Sequence, residues 1–134
     1  MNKPFLLCLL LALGPAASYA ADPVTPVPVQ FAKGASVATL KGRITGYEST
    51  QYSLTAQAGQ RMTVSVTGSR NANFNVFAPG DLPGQATAIG SGGVGNSWSA
   101  ELPASGEYTV QVYQMRASAR RGKQITYVVR FGVD

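Results

Sequence analysis

The chain has 134 residues, a formal net charge of +5 and only 13% charged residues, with one cysteine and no histidine. The missing histidine excludes a Ser-His or Cys-His nucleophile and any histidine-ligated metal site. With charge this sparse, arguments about partners rest on where the charges sit and not on their total.

Residues 1–20 read as an export leader. Lys3 supplies the positive start, Phe5 to Leu13 is apolar, and Ser18-Tyr19-Ala20 ends in the small-x-small pattern read by signal peptidase. The apolar run is too short to span a bilayer. Cys8 lies inside it and is preceded by Leu7, not by the small residue that lipidation requires. Losing the leader removes Lys3 and the lone cysteine, so the net charge becomes +4 (+5 less one lysine) and no thiol remains for disulfides. An exported, cysteine-free chain of about 100 residues fits a periplasmic domain held by its own core. No stable membrane insertion is expected, and no nucleic-acid partner.

Residues 21–30 contain Pro23, Pro26 and Pro28. They read as an extended, unpaired arm, leaving residues 31–134 as one domain. From there hydrophobicity alternates with period two between turns. Strands are expected over Ala38–Thr45, Gln51–Gln57, Arg61–Thr67 and Asn73–Ala78, with Ala58-Gly59-Gln60 as a hairpin turn. Pro79 to Gly84 is a turn, Thr87–Gly90 a short edge strand, and Ser91–Gly95 a glycine-rich turn. Ser97–Leu102, Glu107–Gln114 and Ile125–Val133 complete about eight strands. Met115–Arg121 carries the only helical hint. The fold class is all-β: an antiparallel β-sandwich, jelly-roll-like. Tyr52, Phe74, Trp98, Tyr127 and Phe131 are expected core, while Tyr47 and Tyr113 are open.

Six carboxylates follow the leader: Asp22, Glu48, Asp81, Glu101, Glu107 and Asp134. Glu101 and Glu107 flank one expected hairpin, but nothing nearby suits a raised carboxyl pKa. No Asp-rich loop offers a calcium site. The chain reads as a binder and not an enzyme, with no catalytic residue, metal or cofactor. Two elements carry its polar recognition groups. Ser105-Gly106-Glu107-Tyr108 reads either as an ordinary turn or as a small loop able to enter a narrow cleft. Arg116 and Arg120, four residues apart, share a side if Met115–Arg121 is helical, and suit carboxylates. The bland alternative is a solvated basic loop. Strand Glu107–Gln114 separates the two elements by about 20–25 Å.

The order Phe31-Ala-Lys-Gly34, Gly46-Tyr47, Tyr52, Ala58-Gly-Gln60, Pro79-Gly80, Leu102-Pro-Ala-Ser-Gly-Glu-Tyr108 and Arg116 to Arg120 resembles the periplasmic inhibitors of g-type (goose-type) lysozyme. The resemblance runs from Phe31 to Val133. It implies a β-sandwich without cofactor and one protein partner, g-type lysozyme. It also implies contact roles for Ser105, Gly106, Tyr108, Arg116 and Arg120: the Ser-Gly loop occludes the cleft, arginines pair with its acidic groups, and peptidoglycan is protected from the catalytic glutamate. The alternative is a module binding envelope polysaccharide or another anionic surface.

Overall fold

Alternating apolar residues bury one face of each strand, and two such faces close on each other. The computed structural model describes residues 22–134, so the expected leader lies outside the described residues. Along the chain run β1 (Val24–Pro28), β2 (Val37–Thr45), β3 (Ser49–Ala56), β4 (Arg61–Gly68), β5 (Ala72–Phe77), β6 (Gly90–Gly93), β7 (Trp98–Glu101), β8 (Gly106–Gln114), α1 (Arg116–Arg120) and β9 (Gln124–Val133). One sheet has the order β1-β3-β8-β5-β6 and the other β2-β9-β4-β7. The expected all-β sandwich is what forms, with a helical turn where the only helical signal lay.

Three local readings change. The expected unpaired proline arm is instead an edge strand, β1, running parallel to β3. The Val29 N–H donates to the Ser53 carbonyl, and the Pro23 carbonyl accepts from the Ser49 N–H. Odd-numbered residues therefore face β3, while Pro26 and Pro28 stand where an N–H would point to solvent, so their missing donors cost no ladder bond. Val27, Val29 and Phe31 pack against the core. The domain accordingly includes this segment, ahead of the expected boundary at residue 31.

The second change exchanges an edge strand and a turn. Residues 87–89 form no strand, whereas Gly90–Gly93 pairs with β5. A side chain at Gly90 would collide with Trp98, and one at Gly92 with Phe74. Gly90, expected to end an edge strand, and Gly92, expected in a turn, are glycines because two aromatic side chains fill their space.

The third change is topological. β3 lies in the five-stranded sheet and β4 in the four-stranded one, so Ala58-Gly59-Gln60 is an arch between layers and not a hairpin turn. The β7–β8 turn is also an arch. Glu101 and Glu107 thus belong to different sheets, and both are exposed on outer surfaces. The approach of these carboxylates, which a hairpin would have allowed, does not occur.

Between the sheets lies a core containing Tyr52, Leu54, Phe74, Val110 and Val112 from one layer and Ile44, Met62, Val64, Tyr127, Val129 and Phe131 from the other. Its middle holds two phenols. The hydroxyls of Tyr52 and Tyr127 lie 2.8 Å apart and hydrogen-bond across the layers. The Tyr52 ring also meets Phe131, centroids 5.2 Å apart and planes tilted by 54°. Burial, then the hydrogen bond to Tyr127, pushes the Tyr52 phenol well above its ordinary value of 10.0.

The neutral Tyr52 phenol is thus the form the fold holds. Its contribution to stability is intact below about pH 10 and is lost as pH rises above that value, where the unfolded chain ionises first. Urea unfolding of wild type and Tyr52→Phe should show a steeper alkaline loss in wild type. Gly42 sits beside Tyr127 in register, and a Cβ there would overlap the Tyr127 ring. Gly42→Ala is expected to lower stability by about 1–3 kcal/mol, read from the denaturation midpoint, with part of the loss recovered when Tyr127 is also replaced by Leu.

Candidate functional site

The two polar elements lie at opposite ends of β8, and the fold treats them differently. At the first end, the Ser105 Oγ accepts a 2.8 Å hydrogen bond from the Ala58 N–H. The Gly59 N–H donates to the Leu102 carbonyl, and the Leu102 N–H to that of Gln60. Two arches are thereby stitched together. Gly106 has φ 148°, and a Cβ would come within 2.8 Å of Pro79, so only glycine fits. Tyr108 is fully buried. Its O–H donates to the Ala104 carbonyl at 2.6 Å and accepts from the Ala104 N–H at 3.3 Å, fastening the turn to the core. Ser105 remains exposed. The hydroxyls of Ser105 and Tyr108 are thus engaged within the fold, and the turn's outward features are its small size, its backbone and the exposed Glu107 carboxylate.

At the other end α1 places Arg116 and Arg120 on exposed positions while Ser118 and Ala119 are buried. A spacing of four puts the two arginines on one side of the turn, and no acidic residue occupies the first turn. Five residues do not sustain a helix alone, so its position depends on what anchors it. Gln114, buried at the end of β8, is that anchor. Its Nε2 donates to the Gly46 carbonyl at 2.9 Å and to the Lys123 carbonyl at 2.7 Å. Its Oε1 accepts from the Ser118 hydroxyl, and the Met115 N–H donates to the Asn71 carbonyl at 3.0 Å. One amide therefore ties the helix, its return to β9 and the β2–β3 turn together.

That turn carries Tyr47, which is 48% exposed. Glu48 beside it accepts the Thr45 N–H at 2.8 Å, closing the turn. A groove of about 390 Å³ is lined by Tyr47, Tyr113, Asn75, Gln111 and Gln114 among others. Tyr47 and Tyr113, left open by the sequence, are thus surface aromatics near the arginine end. Gln114 is not singled out by the sequence at all, because a glutamine at a strand end looks like any exposed polar residue.

Nine residues of β8 run from Gly106 to Gln114, roughly 25 Å of strand. Ser105, Gly106 and Tyr108 are therefore brought together, as are Arg116 and Arg120, but the two groups are not joined. Among the described residues no group of three or more His, Cys, Asp or Glu side chains could hold a metal ion.

Known proteins share this sequence and fold. An inhibitor of g-type lysozyme from Escherichia coli (strain K12) is 37% identical over 126 residues, covering 90% of this chain and 89% of that protein. The chain belongs to the family of inhibitors of g-type lysozyme. The crystal structure of Aeromonas hydrophila PliG, a periplasmic lysozyme inhibitor of g-type lysozyme, superimposes with a TM-score of 0.83 at 59% identity, covering 85% of this chain and all of that one (100%). The Salmonella Typhimurium PliG structure gives a TM-score of 0.65 at 29% identity, covering 82% and 98% of the two chains. A scan against family models finds no match. The resemblance drawn from the sequence order is confirmed, and the inhibitor family shares the sandwich on which both ends of β8 are displayed.

Gln114→Ala would leave the Gly46 carbonyl and the Ser118 hydroxyl without their Gln114 partner. It would also remove one of the two donors to the Lys123 carbonyl, which keeps the Gly46 N–H. Stability should fall by about 1–3 kcal/mol. Hydrogen exchange should accelerate first in residues 115–123 and the β2–β3 turn, with β8 still protected.

Proposed function

We propose that this chain is a periplasmic inhibitor of g-type lysozyme that acts by binding and not by catalysis, and that the arginine end makes the principal contact. The observation that carries the reading is the pairing of Arg116 and Arg120 on an exposed helical turn held by Gln114. A pre-positioned pair of planar guanidiniums can form bidentate, charge-assisted hydrogen bonds with carboxylates at little cost in side-chain ordering. Glycoside hydrolysis depends on carboxylic groups flanking the scissile bond. Cations seated on the acidic groups of such a cleft would block the approach of peptidoglycan. Tyr47, exposed on the neighbouring turn, supplies an aromatic contact of the kind that anchors interfaces. The family and its periplasmic relatives support the inhibitor reading as such.

A second reading has the Ser105-Gly106-Glu107-Tyr108 loop enter the cleft. It is favoured by the exposed Ser105 on a turn of small residues. The Ser105 and Tyr108 hydrogen bonds are internal, so this loop would act through its shape and backbone, with Tyr108 as support from within the core.

Titration against g-type lysozyme separates the two. Under the arginine reading, Arg116→Ala with Arg120→Ala weakens inhibition at least about tenfold while the unfolding midpoint holds. Ala104→Trp, which adds bulk at the tip of the other loop without removing the Ser105 bond, leaves inhibition unchanged. The reverse pattern assigns the contact to the Ser-Gly loop. Full inhibition by both variants would remove both ends from the site.

A further inference from the structure

The two outer faces of the sandwich differ in charge. On the five-stranded sheet the outward positions of β3, β5 and β8 are Gln51, Ser53 and Thr55; Asn73 and Asn75; and Glu107, Thr109, Gln111 and Tyr113. None of these is cationic. The four-stranded sheet presents Lys41 and Arg43 from β2, Arg61 from β4 and Arg130 from β9, all exposed. Its outward carboxylates among the described residues are Glu101, opposite Arg61 in register on the outermost strand, and the exposed Asp134. Asp134 lines a groove with Arg130 and pairs its backbone with Arg61, so the unbalanced positive charge is concentrated at Lys41 and Arg43. The core needs none of these charges, since they stand on the side of the sheet that faces water.

The register places the cations. Lys41 lies opposite Val128 and Arg43 opposite Thr126, while Arg130 lies between Thr39 and Ser65. Arg43, Lys41 and Arg130 thus form a diagonal, with steps of roughly 7–8 Å from strand rise and spacing. Between them the side chains are small: Thr39, Ser65, Thr67 and Thr126. A shallow groove of about 480 Å³ is lined by Lys41 and Arg43 together with Gly42, Thr126, Tyr127 and Val128. Two cations therefore flank a depression lined by Thr126, Tyr127, Val128 and the backbone of Gly42 and Gly68. The exposed large hydrophobic residues of the domain include one on this face, Val37 at the start of β2. A single valine at a corner gives little insertion into hydrocarbon.

We propose that this face is an electrostatic docking surface for an anionic phospholipid bilayer. A two-dimensional spread of cations on a sheet complements a plane of phosphate headgroups, each basic residue contributing within about a Debye length of the surface. The groove between Lys41 and Arg43 receives one headgroup. Without a large inserting side chain, attachment is peripheral and reversible. Docking by this face points the five-stranded sheet away from the bilayer and leaves both ends of the sandwich open. A soluble partner can then be captured while the molecule stays at the membrane. The proposal does not rest on the lysozyme reading, because Arg116, Arg120 and the Ser105 loop lie outside this face.

Vesicle co-sedimentation of the purified exported protein tests it, using phosphatidylcholine vesicles with and without phosphatidylglycerol. The expected result is binding only to the anionic vesicles, declining as salt is raised. Lys41→Glu with Arg43→Glu, a change at two exposed positions, should lower the bound fraction at least about tenfold. It should leave the unfolding midpoint and lysozyme inhibition unaltered. Arg116→Ala with Arg120→Ala should bind vesicles like wild type, whatever it does to inhibition. Equal vesicle binding by the charge-reversed variant overturns the proposal, as does equal binding to pure phosphatidylcholine. Retention on a soluble phosphate-bearing polysaccharide without vesicle binding also overturns it, and assigns the face to a polymer.

Discussion

The hydrogen bond between the Tyr52 and Tyr127 hydroxyls is the constraint on which the arrangement of the two layers depends. Each phenol buries a polar group in an otherwise apolar core, where an unpaired hydroxyl costs more than a paired one contributes. The two oxygens satisfy each other only if β3 and β9 stand opposite one another at one translation. Register within each sheet then carries that alignment outward: Tyr52 lies opposite Val110 in β8, and Tyr127 opposite Gly42 in β2 and Gly68 in β4. Gly42 leaves room for the Tyr127 ring. A slip by two residues would keep the apolar faces inward but strand two hydroxyls, so the pair distinguishes among registers that hydrophobicity alone treats as equal.

β8 is the second organising element. It is central in its sheet, between β3 and β5, and both of its ends are locked by side chains reaching backbone. Tyr108 closes the turn that precedes it through Ala104, and Gln114 closes the turn that follows through Gly46 and Lys123. A rigid strand with a fastened loop at each end is a good support for contact groups, because the partner does not have to order them. It also prevents the two ends from converging. The sandwich therefore offers separate surfaces: the arginine end, the Ser-Gly end and the cationic outer face of the four-stranded sheet.

Both candidate elements were legible in the sequence, but not how the fold holds them. Ser105, Gly106 and Tyr108 stood out as a motif, and each proves to serve the fold. Ser105 stitches to Ala58, Gly106 avoids Pro79, and Tyr108 fills the core. Arg116 and Arg120 read either as carboxylate partners or as a solvated basic loop, and they stand on a turn anchored by Gln114. What separates the two cases is the destination of each polar atom, and that depends on residues distant in sequence. Ala58 is 47 positions from Ser105, and Gly46 is 68 from Gln114. The same limit hid the cationic face. Lys41, Arg43, Arg61 and Arg130 are scattered along the chain and meet only because β2, β9 and β4 are adjacent.

By itself the sequence determined where the chain is extended and which residues turn inward, because a period of two in hydrophobicity is a local property of a pleated strand. It also showed no histidine, which excludes a Ser-His or Cys-His nucleophile, and it carried enough ordered landmarks to mark the inhibitor family. Tertiary structure decided how the strands are distributed. Of consecutive strands, only β5 and β6 are neighbours in one sheet, and most connections cross between layers. A Gly-containing turn between two apolar-alternating segments satisfies the same dihedral requirements as a hairpin or as an arch, so local chemistry does not choose between them. The choice is made by burial of both faces at once, and by two tyrosine hydroxyls, 75 positions apart, that bond each other across the layers.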